Sequence, residues 1–349
     1  MIFVDWLTIS QFQKGARNLA GMRVLTYREP GDINREGVPV ESTDVIKDAA
    51  SWAWVKGSHG TSIRVISHND TVALSGNPGR WGRPDNLFNL DLFDTVKAAN
   101  SIVEAQALPY FSVGEPVCGG PDVDSEIKWS GARLWGVHLT QNYVTGSPDN
   151  ARAVIEWLNT QSVARVKKGR FGNSTVTWGS LKYCQTEAYI KADEMMAHAK
   201  GDEAKAAVSA SAQYLWALEN GIVRVEVKAA KDFLRHKGLT YLGAWDMGTV
   251  TRLFDEKTEV LNRLRVDVED FDLLDIPSAY RMTCAAWLRG EDVAALFKSR
   301  MTLYRHAKAL RGFGIDIQCR RNLATMPVRV RTITMQPVAA PDWYSYHSA

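Results

Sequence analysis

Short apolar runs with a period of two fill residues 1–75. FVDWLTIS, ASWAWVKGS, TSIRVISHN and TVALSGN each read as a strand bounded by Gly, Asn or Asp turn signals. The period then lengthens. DLFDTVKAANSIVEAQAL, spanning about 91–107, sets Leu92, Val96, Ala99 and Val103 on one stripe behind an acidic start, which predicts a helix. Residues 114–130 are a Gly/Pro/Asp-rich connection, after which ARLWGVHLTQNY predicts a strand. ARAVIEWLNTQ follows as a helix capped by Ser147 or Asp149. STVTWGS and YCQTEAYIK predict a hairpin turning at Gly179, and a long Ala-rich helix over about 202–219 stops at Asn220-Gly221. IVRVEVKA returns as a strand. From about residue 270 the chain becomes helical, short-turned and basic.

Several strands carry polar residues where a buried strand has apolar ones. If QTEAYIK is extended, Glu187, Tyr189 and Lys191 share one face; on GIVRVEVKA, Arg224, Glu226 and Lys228 oppose Val223, Val225 and Val227. His138, Thr140 and Asn142 line one side of VHLTQNY. A solvated sheet face explains each of these alone. Together they hold the parts for a tyrosine attacking phosphorus: a phenol, a neighbouring Lys⁺, and a carboxylate with an imidazole to hold a cation. Adjacency of the three strands does not follow from spacing.

Two further stretches bear on nucleic acid. In the loop SGNPGRWGRPDNLFNL, two guanidiniums (Arg80, Arg83) flank Trp81, an arrangement suited to a phosphate backbone with a stacked base, or to a surface loop whose Trp81 packs on the core. Near the C-terminus, EDVAALF, a break at Lys298-Ser299-Arg300 and MTLYRHAKALR read as a helix-turn-helix. Its second helix would present Arg305, Lys308 and Arg311, followed by a wing with Arg320 and Arg321. Generic helical hairpins share the pattern.

Composition narrows the class. The 349 residues are 45% hydrophobic with 12 Trp and 26 Gly, enough for a large core and more than one domain. The net charge of +3 is too small to argue for nucleic acid on its own. Four cysteines (Cys118, Cys184, Cys284, Cys319) lie far apart without a C-x-x-C pair, as reduced thiols of a cytoplasmic protein would. No secretory signal or run of ~20 apolar residues is present, so no membrane partner is expected.

Six collinear segments resemble the phage and plasmid replication-initiation proteins grouped with the gene II and gene X products of filamentous phages. They are VDWLTIS, SGNPGRWGRPDNLFN, WGVHLTQNYVTGSPDNARAVIEWL, STVTWGSLKYCQTEAYIKADEM, LENGIVRVEVKAAKDFLRHKGL and APDWYSYH. The resemblance implies an α+β fold: an antiparallel-sheet nuclease core with helices over 1–265, a helix-turn-helix-like region over 266–335 and a tail over 336–349. It implies rolling-circle initiation, with one origin strand nicked by Tyr189 to leave a 5′-phosphotyrosine and a 3′-OH primer, and a later strand joining. Lys191 would assist, Arg224 would contact DNA and Glu226 would ligate Mg²⁺ or Mn²⁺. Related chains commonly carry R-x-D-x-T where this one has Gly136 and His138, so His138 stands in the acid's place and Asp5 becomes a candidate third ligand. The implied partners are double-stranded origin DNA, single-stranded DNA, and a host polymerase and helicase, since no phosphate-binding G-x-x-x-x-G-K-[ST] loop occurs. The rival readings are a non-catalytic DNA-binding regulator or origin-recognition factor, and a phosphoryl-transfer enzyme acting on RNA. Roles for Glu187 and for Tyr183, ~20 Å from Tyr189 along an extended strand, stay open.

Overall fold

The structure, a computed structural model, describes residues 1–29, 43–117, 128–161, 168–171, 174–262, 276–313, 315–318 and 333–344. In chain order the strands are β1 (Phe3–Phe12), β2 (Gly21–Glu29), β3 (Thr43–Ser51), β4 (Ala53–Lys56), β5 (Ser62–His68), β6 (Thr71–Gly76) and β7 (Pro116–Val117). They continue as β8 (Lys128–Trp129), β9 (Arg133–Val144), β10 (Lys168–Phe171), β11 (Thr175–Ser180), β12 (Cys184–Ile190), β13 (Ile222–Ala230) and β14 (Gln336–Pro337). The helices are α1 (Leu92–Glu104), α2 (Pro148–Thr160), α3 (Lys191–His198), α4 (Asp202–Ser209) and α5 (Ala212–Glu219). After them come α6 (Lys231–His236), α7 (Met247–Lys257), α8 (Glu259–Asn262), α9 (Ser278–Leu288) and α10 (Arg300–Arg311).

One large sheet organises the molecule, in the order β10-β11-β12-β13-β9-β1-β6-β5-β4, with β14 added beside β9. Its pairings are antiparallel, as expected of an α+β chain. β2 with β3, and β7 with β8, form separate two-stranded ladders.

The period of two sorts the sheet into a dry face and a polar face. Val223, Val225 and Val227 are fully buried and join Val137 and Leu139 of β9 and Leu7 and Ile9 of β1 in the main core. α1 supplies the predicted stripe of Leu92, Val96, Ala99 and Val103, all buried, and Asp91 caps it by accepting from Asp94 N. α2 begins at the Ser147 cap, which accepts from Asn150 N, with Pro148 in the first turn, where its missing N–H costs nothing. Among the described residues no helix is long and apolar enough to cross a membrane.

Several expectations change. The Ala-rich helix is two helices, because Ser209 and Ser211 donate to the carbonyls of Ala206 and Val208 and Ser211 then caps α5. The stop at Gly221 stands: its φ is 57°, and a Cβ there would lie 2.0 Å from the Ser147 carbonyl oxygen. The hairpin turns at 181–183 rather than Gly179, which lies inside β11 opposite Gln185. EDVAALF is not a helix but a single 3-10 turn over Val293–Leu296, capped by Asp292. It is α9 that packs with α10, around a small second core of Ile276, Cys284, Trp287, Ala307 and Leu310. Arg305 and Lys308 are exposed on α10, and Arg311 is half-buried beside Asp316. Arg320 and Arg321, Cys118 and Cys319, and the boundary at 265–266 lie outside the described residues.

The start of the stretch expected as a C-terminal tail is built into the sheet. Gln336 and Pro337 pair with Val144 and Tyr143, and Val338 N donates to Asn142 O. The ring of Tyr344 packs edge-on to Phe88 with centroids 5.3 Å apart. Its hydroxyl accepts from Arg83 Nη2 at 2.5 Å and donates to Asp85 Oδ1 at 2.7 Å. Tyr344→Phe keeps the ring but strips partners from a buried guanidinium and a carboxylate. Urea unfolding should show a loss of about 1–3 kcal/mol, and an unchanged midpoint would mean that the docked segment contributes nothing to stability.

Candidate functional site

The polar face converges where β12, β13, β9 and β1 lie side by side. In register, Glu187 stands opposite Glu226 and Tyr189 opposite Arg224; across the other ladder, Arg224, Glu226 and Lys228 face Asn142, Thr140 and His138. The adjacency that spacing leaves open is therefore present for Tyr189, Glu226 and His138.

Tyr189 is nearly buried, at 7% exposure, and its hydroxyl donates to Glu226 Oε1 at 2.6 Å. Burial, and then the Glu226 charge, push the phenol well above its ordinary pKa, so the resting group is a neutral donor. Burial works against the Glu226 carboxylate as well, but Lys228, the Tyr189 hydroxyl and Arg224 outweigh it and hold the group below the usual carboxylate range. Lys228 Nζ lies 3.4 Å from Glu226 Oε2 and also bonds Glu187. Burial pulls Lys228 down, yet the two carboxylates more than compensate and keep it charged. His138 completes the group. Burial lowers its pKa to about 4 against the pull of Glu226, which leaves a neutral imidazole with a lone pair at physiological pH.

Behind this cluster sits Arg224, fully buried. Nε donates to Asn142 Oδ1 at 2.9 Å, Nη1 to Asp5 Oδ2 at 2.9 Å, and Nη2 to the carbonyls of Asn86 and Leu87 at 2.8 and 2.5 Å. The Phe3 ring covers one face of the guanidinium, 5.3 Å from Cζ. This overturns the expectation of a DNA contact, since each of the three nitrogens already has a protein acceptor. Asp5 changes role too. Its residue is the bulge between Val4 and Trp6 on β1, with one oxygen on Arg224 and the other accepting from Asn89 Nδ2 at 3.2 Å. Burial raises its carboxyl against the guanidinium's pull. It is the counter-ion of Arg224 rather than a free ligand.

Lys191 leaves the strand: β12 ends at Ile190, and Lys191 opens α3, whose first turn carries Asp193 and Glu194. Its ammonium is buried and bonds Glu194 Oε2 at 2.7 Å and Asn86 Oδ1 at 3.1 Å. Burial, and then Arg224, lower its pKa. It braces the same loop as Arg224 and is not a neighbour of Tyr189 on the strand face. Tyr183 lies at the far hairpin, edge-on to Phe233. The loop residues also turn inward. Trp81 packs on the main core over Gly57, and Arg83 donates to the carbonyls of Gly79 and Phe88, both at 2.7 Å, which replaces the expected phosphate contact with a scaffold role. Arg80 stays half-buried beside them.

Among the described residues no three of His, Cys, Asp and Glu form a ready metal cage. What remains for a cation is Glu226, His138 and Thr140, whose buried hydroxyl lacks any hydrogen-bond partner. Oxygen, nitrogen and an unsatisfied hydroxyl on one face fit a partial ligand set for Mg²⁺ or Mn²⁺. Lys228 and Glu187 are the site members that pattern reading left without a role. The signal for Lys228 is its period-two spacing from Glu226.

Arg224→Leu should lower stability by about 3–5 kcal/mol, because the buried Asp5 loses its counter-charge and keeps only the Asn89 amide. Arg224→Leu with Asp5→Leu should recover part of that loss in the same urea titration. A double variant as unstable as the single one would remove the ion pair from the account.

Comparison with known proteins agrees with this layout. Residues 1–248 match the N-terminal family of the phage replication-associated protein of the gene II type, and residues 269–349 match its C-terminal family. Among curated proteins, the replication-associated protein of this type from Escherichia phage If1 is 29% identical over 315 residues, covering 81% of this chain and 97% of the relative. That of Enterobacteria phage I2-2 is 26% identical over 343 residues, covering 88% and 92%. No solved structure matches the chain. With the N-terminal segment spanning the sheet and its polar cluster and the C-terminal segment the helical region and docked strand, the chain belongs to the gene II replication-associated protein family.

Proposed function

We propose that the protein initiates rolling-circle DNA replication by nicking one origin strand with Tyr189 and later rejoining the displaced strand. The observation that carries this reading is the 2.6 Å hydrogen bond from Tyr189 to Glu226, at the centre of the polar face of a chain of the gene II family. Attack forms a bond from Tyr189 Oη to phosphorus and breaks the bond from phosphorus to the 3′ oxygen. The phenol proton leaves toward Glu226 Oε1, and water protonates the departing 3′ oxygen to give the 3′-OH. The products are a 5′-phosphotyrosine and a primer. Because the phosphotyrosine keeps the energy of the diester, attack by a 3′-OH reverses the exchange and closes a circle without ATP.

Lys228, held charged by Glu187 and Glu226, offers a positive group where negative charge grows on phosphate. Glu226 and His138 would hold Mg²⁺ or Mn²⁺, with the nitrogen donor suiting Mn²⁺ better. Such a cation would neutralise non-bridging phosphate oxygens. The exposed Arg305 and Lys308 of α10, with Arg311 at its end, would grip duplex origin DNA through its backbone. A host helicase and polymerase would open and extend the nicked strand.

Supercoiled origin DNA incubated with the protein and Mn²⁺ should yield open circles with protein on the 5′ end, and EDTA should abolish them. Tyr189→Phe should form no adduct; nicking at the wild-type rate by this variant would sink the assignment. Glu226→Ala should cut nicking by about 10²–10⁴-fold with origin binding retained in a gel shift. Binding that is indifferent to metal and never covalent would reduce the protein to a DNA-binding regulator.

A further inference from the structure

The polar face does not end at His138. Next to it on β1 stands Trp6, its ring 6.2 Å from the imidazole and tilted by 31°. Beyond Trp6, Arg64 of β5 lies amid three indoles, with Cζ 5.9 Å from Trp6, 5.7 Å from Trp52 and 5.9 Å from Trp54. Trp54 is 63% exposed and Trp6 36%. The floor between them consists of small hydroxyl residues: Arg64 Nη2 donates to Ser75 Oγ at 3.1 Å, and Ser75 Oγ lies 2.9 Å from Thr8 Oγ1. Arg64 Nε is buried and without a hydrogen-bond partner.

These features are costly for a surface that stays bare. Three large rings gathered on one guanidinium, two of them open to water, make an aromatic patch of the kind that marks a binding surface. Its chemistry selects the occupant. A guanidinium supplies charge for a phosphate backbone, exposed indole faces stack on unpaired bases whatever their sequence, and in duplex DNA those base faces are already stacked on one another. Lys56, exposed and two residues from Trp54 on the same side of β4, adds a second cation. The patch also leads somewhere: from Trp54 through Arg64 and Trp6 to His138 the path crosses four strand spacings, about 19 Å, and arrives at the Glu226 cluster.

We infer that the outer face of β1, β6, β5 and β4 is a single-stranded DNA channel. Trp54 and Trp6 act as stacking platforms and Arg64 as the phosphate contact between them, delivering the strand to the site. As a path to a reaction centre the inference rests on the nicking proposal; as a binding surface it does not, and the test addresses binding alone.

The test uses fluorescein-labelled oligo(dT), the full-length protein and EDTA, so that no cleavage occurs. Fluorescence anisotropy should show Trp54→Ala weakening binding by about tenfold and Arg64→Ala by a similar factor. Trp54→Phe should restore most of the affinity, because a ring remains to stack. Binding to a blunt duplex of equal length should change less than twofold in all three variants, and the thermal midpoint of Trp54→Ala should match wild type. Wild-type affinity for oligo(dT) in both alanine variants would overturn the channel. So would an equal loss on duplex, which would make the patch a general electrostatic surface, and so would a failure of Trp54→Phe to rescue. Loss of nicking in Tyr189→Phe does not bear on this outcome, so the two proposals fail separately.

Discussion

A guanidinium with no access to water sets the terms for this protein. Arg224 carries a full charge at 0% exposure, a state that is tolerable only if each donor is met and a carboxylate is close. The partners come from three places in the chain: Asp5 on β1, Asn142 on β9, and the carbonyls of Asn86 and Leu87 in the loop before α1. Meeting this demand fixes the loop against the sheet and ties β1 to β13 across the intervening β9. Asp5 serves it from a bulge, where an extra residue can aim its side chain out of register. The other polar groups are arranged around this charge: Tyr189 opposite it on β12, Glu226 two residues along β13, and Lys191 at the start of α3. On the other side of the site Lys228 bridges the carboxylates of Glu226 and Glu187.

Once the ion pair is seen as structural, the stability cost expected for removing Arg224 also explains what sequence could and could not disclose. Face assignment was legible. Period two separates Val223, Val225 and Val227, which pack into the main core, from Arg224, Glu226 and Lys228 on the polar face, where Arg224 and Glu226 are buried as well by their own partners. Helix ends with a side-chain cap or a left-handed glycine were legible as well, at Ser147 and Gly221. Pairing partners were not, since the order β12-β13-β9-β1 joins strands that stand far apart in the chain and only tertiary register brings Tyr189 to Arg224.

The misreadings share one physical origin. Arg224, Arg83 and Asp5 look like surface chemistry in a sequence, because charged residues are seldom buried. Here Arg224 and Asp5 satisfy each other, Asn89 donates to Asp5, and Arg83 is met by Tyr344 and Asn89. Lys191 went astray for a local reason: a helix starts at the last residue of the strand pattern, and the alternation that grouped it with Tyr189 stops applying. The break between α4 and α5 is likewise local, set by serines that bond their own backbone in a stretch whose alanines favour helix. A histidine where related chains carry an acid is legible as a departure, but its consequence needs the structure. Burial keeps His138 neutral, so a donor of a different kind stands beside the same glutamate.

The network also ties the two family segments together. Tyr344 and Arg83 are 261 positions apart and share a buried hydrogen bond. Arg83 bonds the Phe88 carbonyl and lies 3.4 Å from Asn89 Oδ1, Asn89 donates to Asp5, and Asp5 pairs with Arg224. Every link is a contact between buried polar groups, for which a lost partner costs more than a surface contact does. The strand β14 and the ring of Tyr344 therefore brace the loop from outside while Arg224 holds it from inside. The loop has no regular structure of its own beyond one 3-10 turn, yet it contributes Asn86, Leu87 and Asn89 to the wall behind the polar cluster. An irregular segment can position a site this closely only when it is clamped on both sides, and the outer clamp here lies at the far end of the chain.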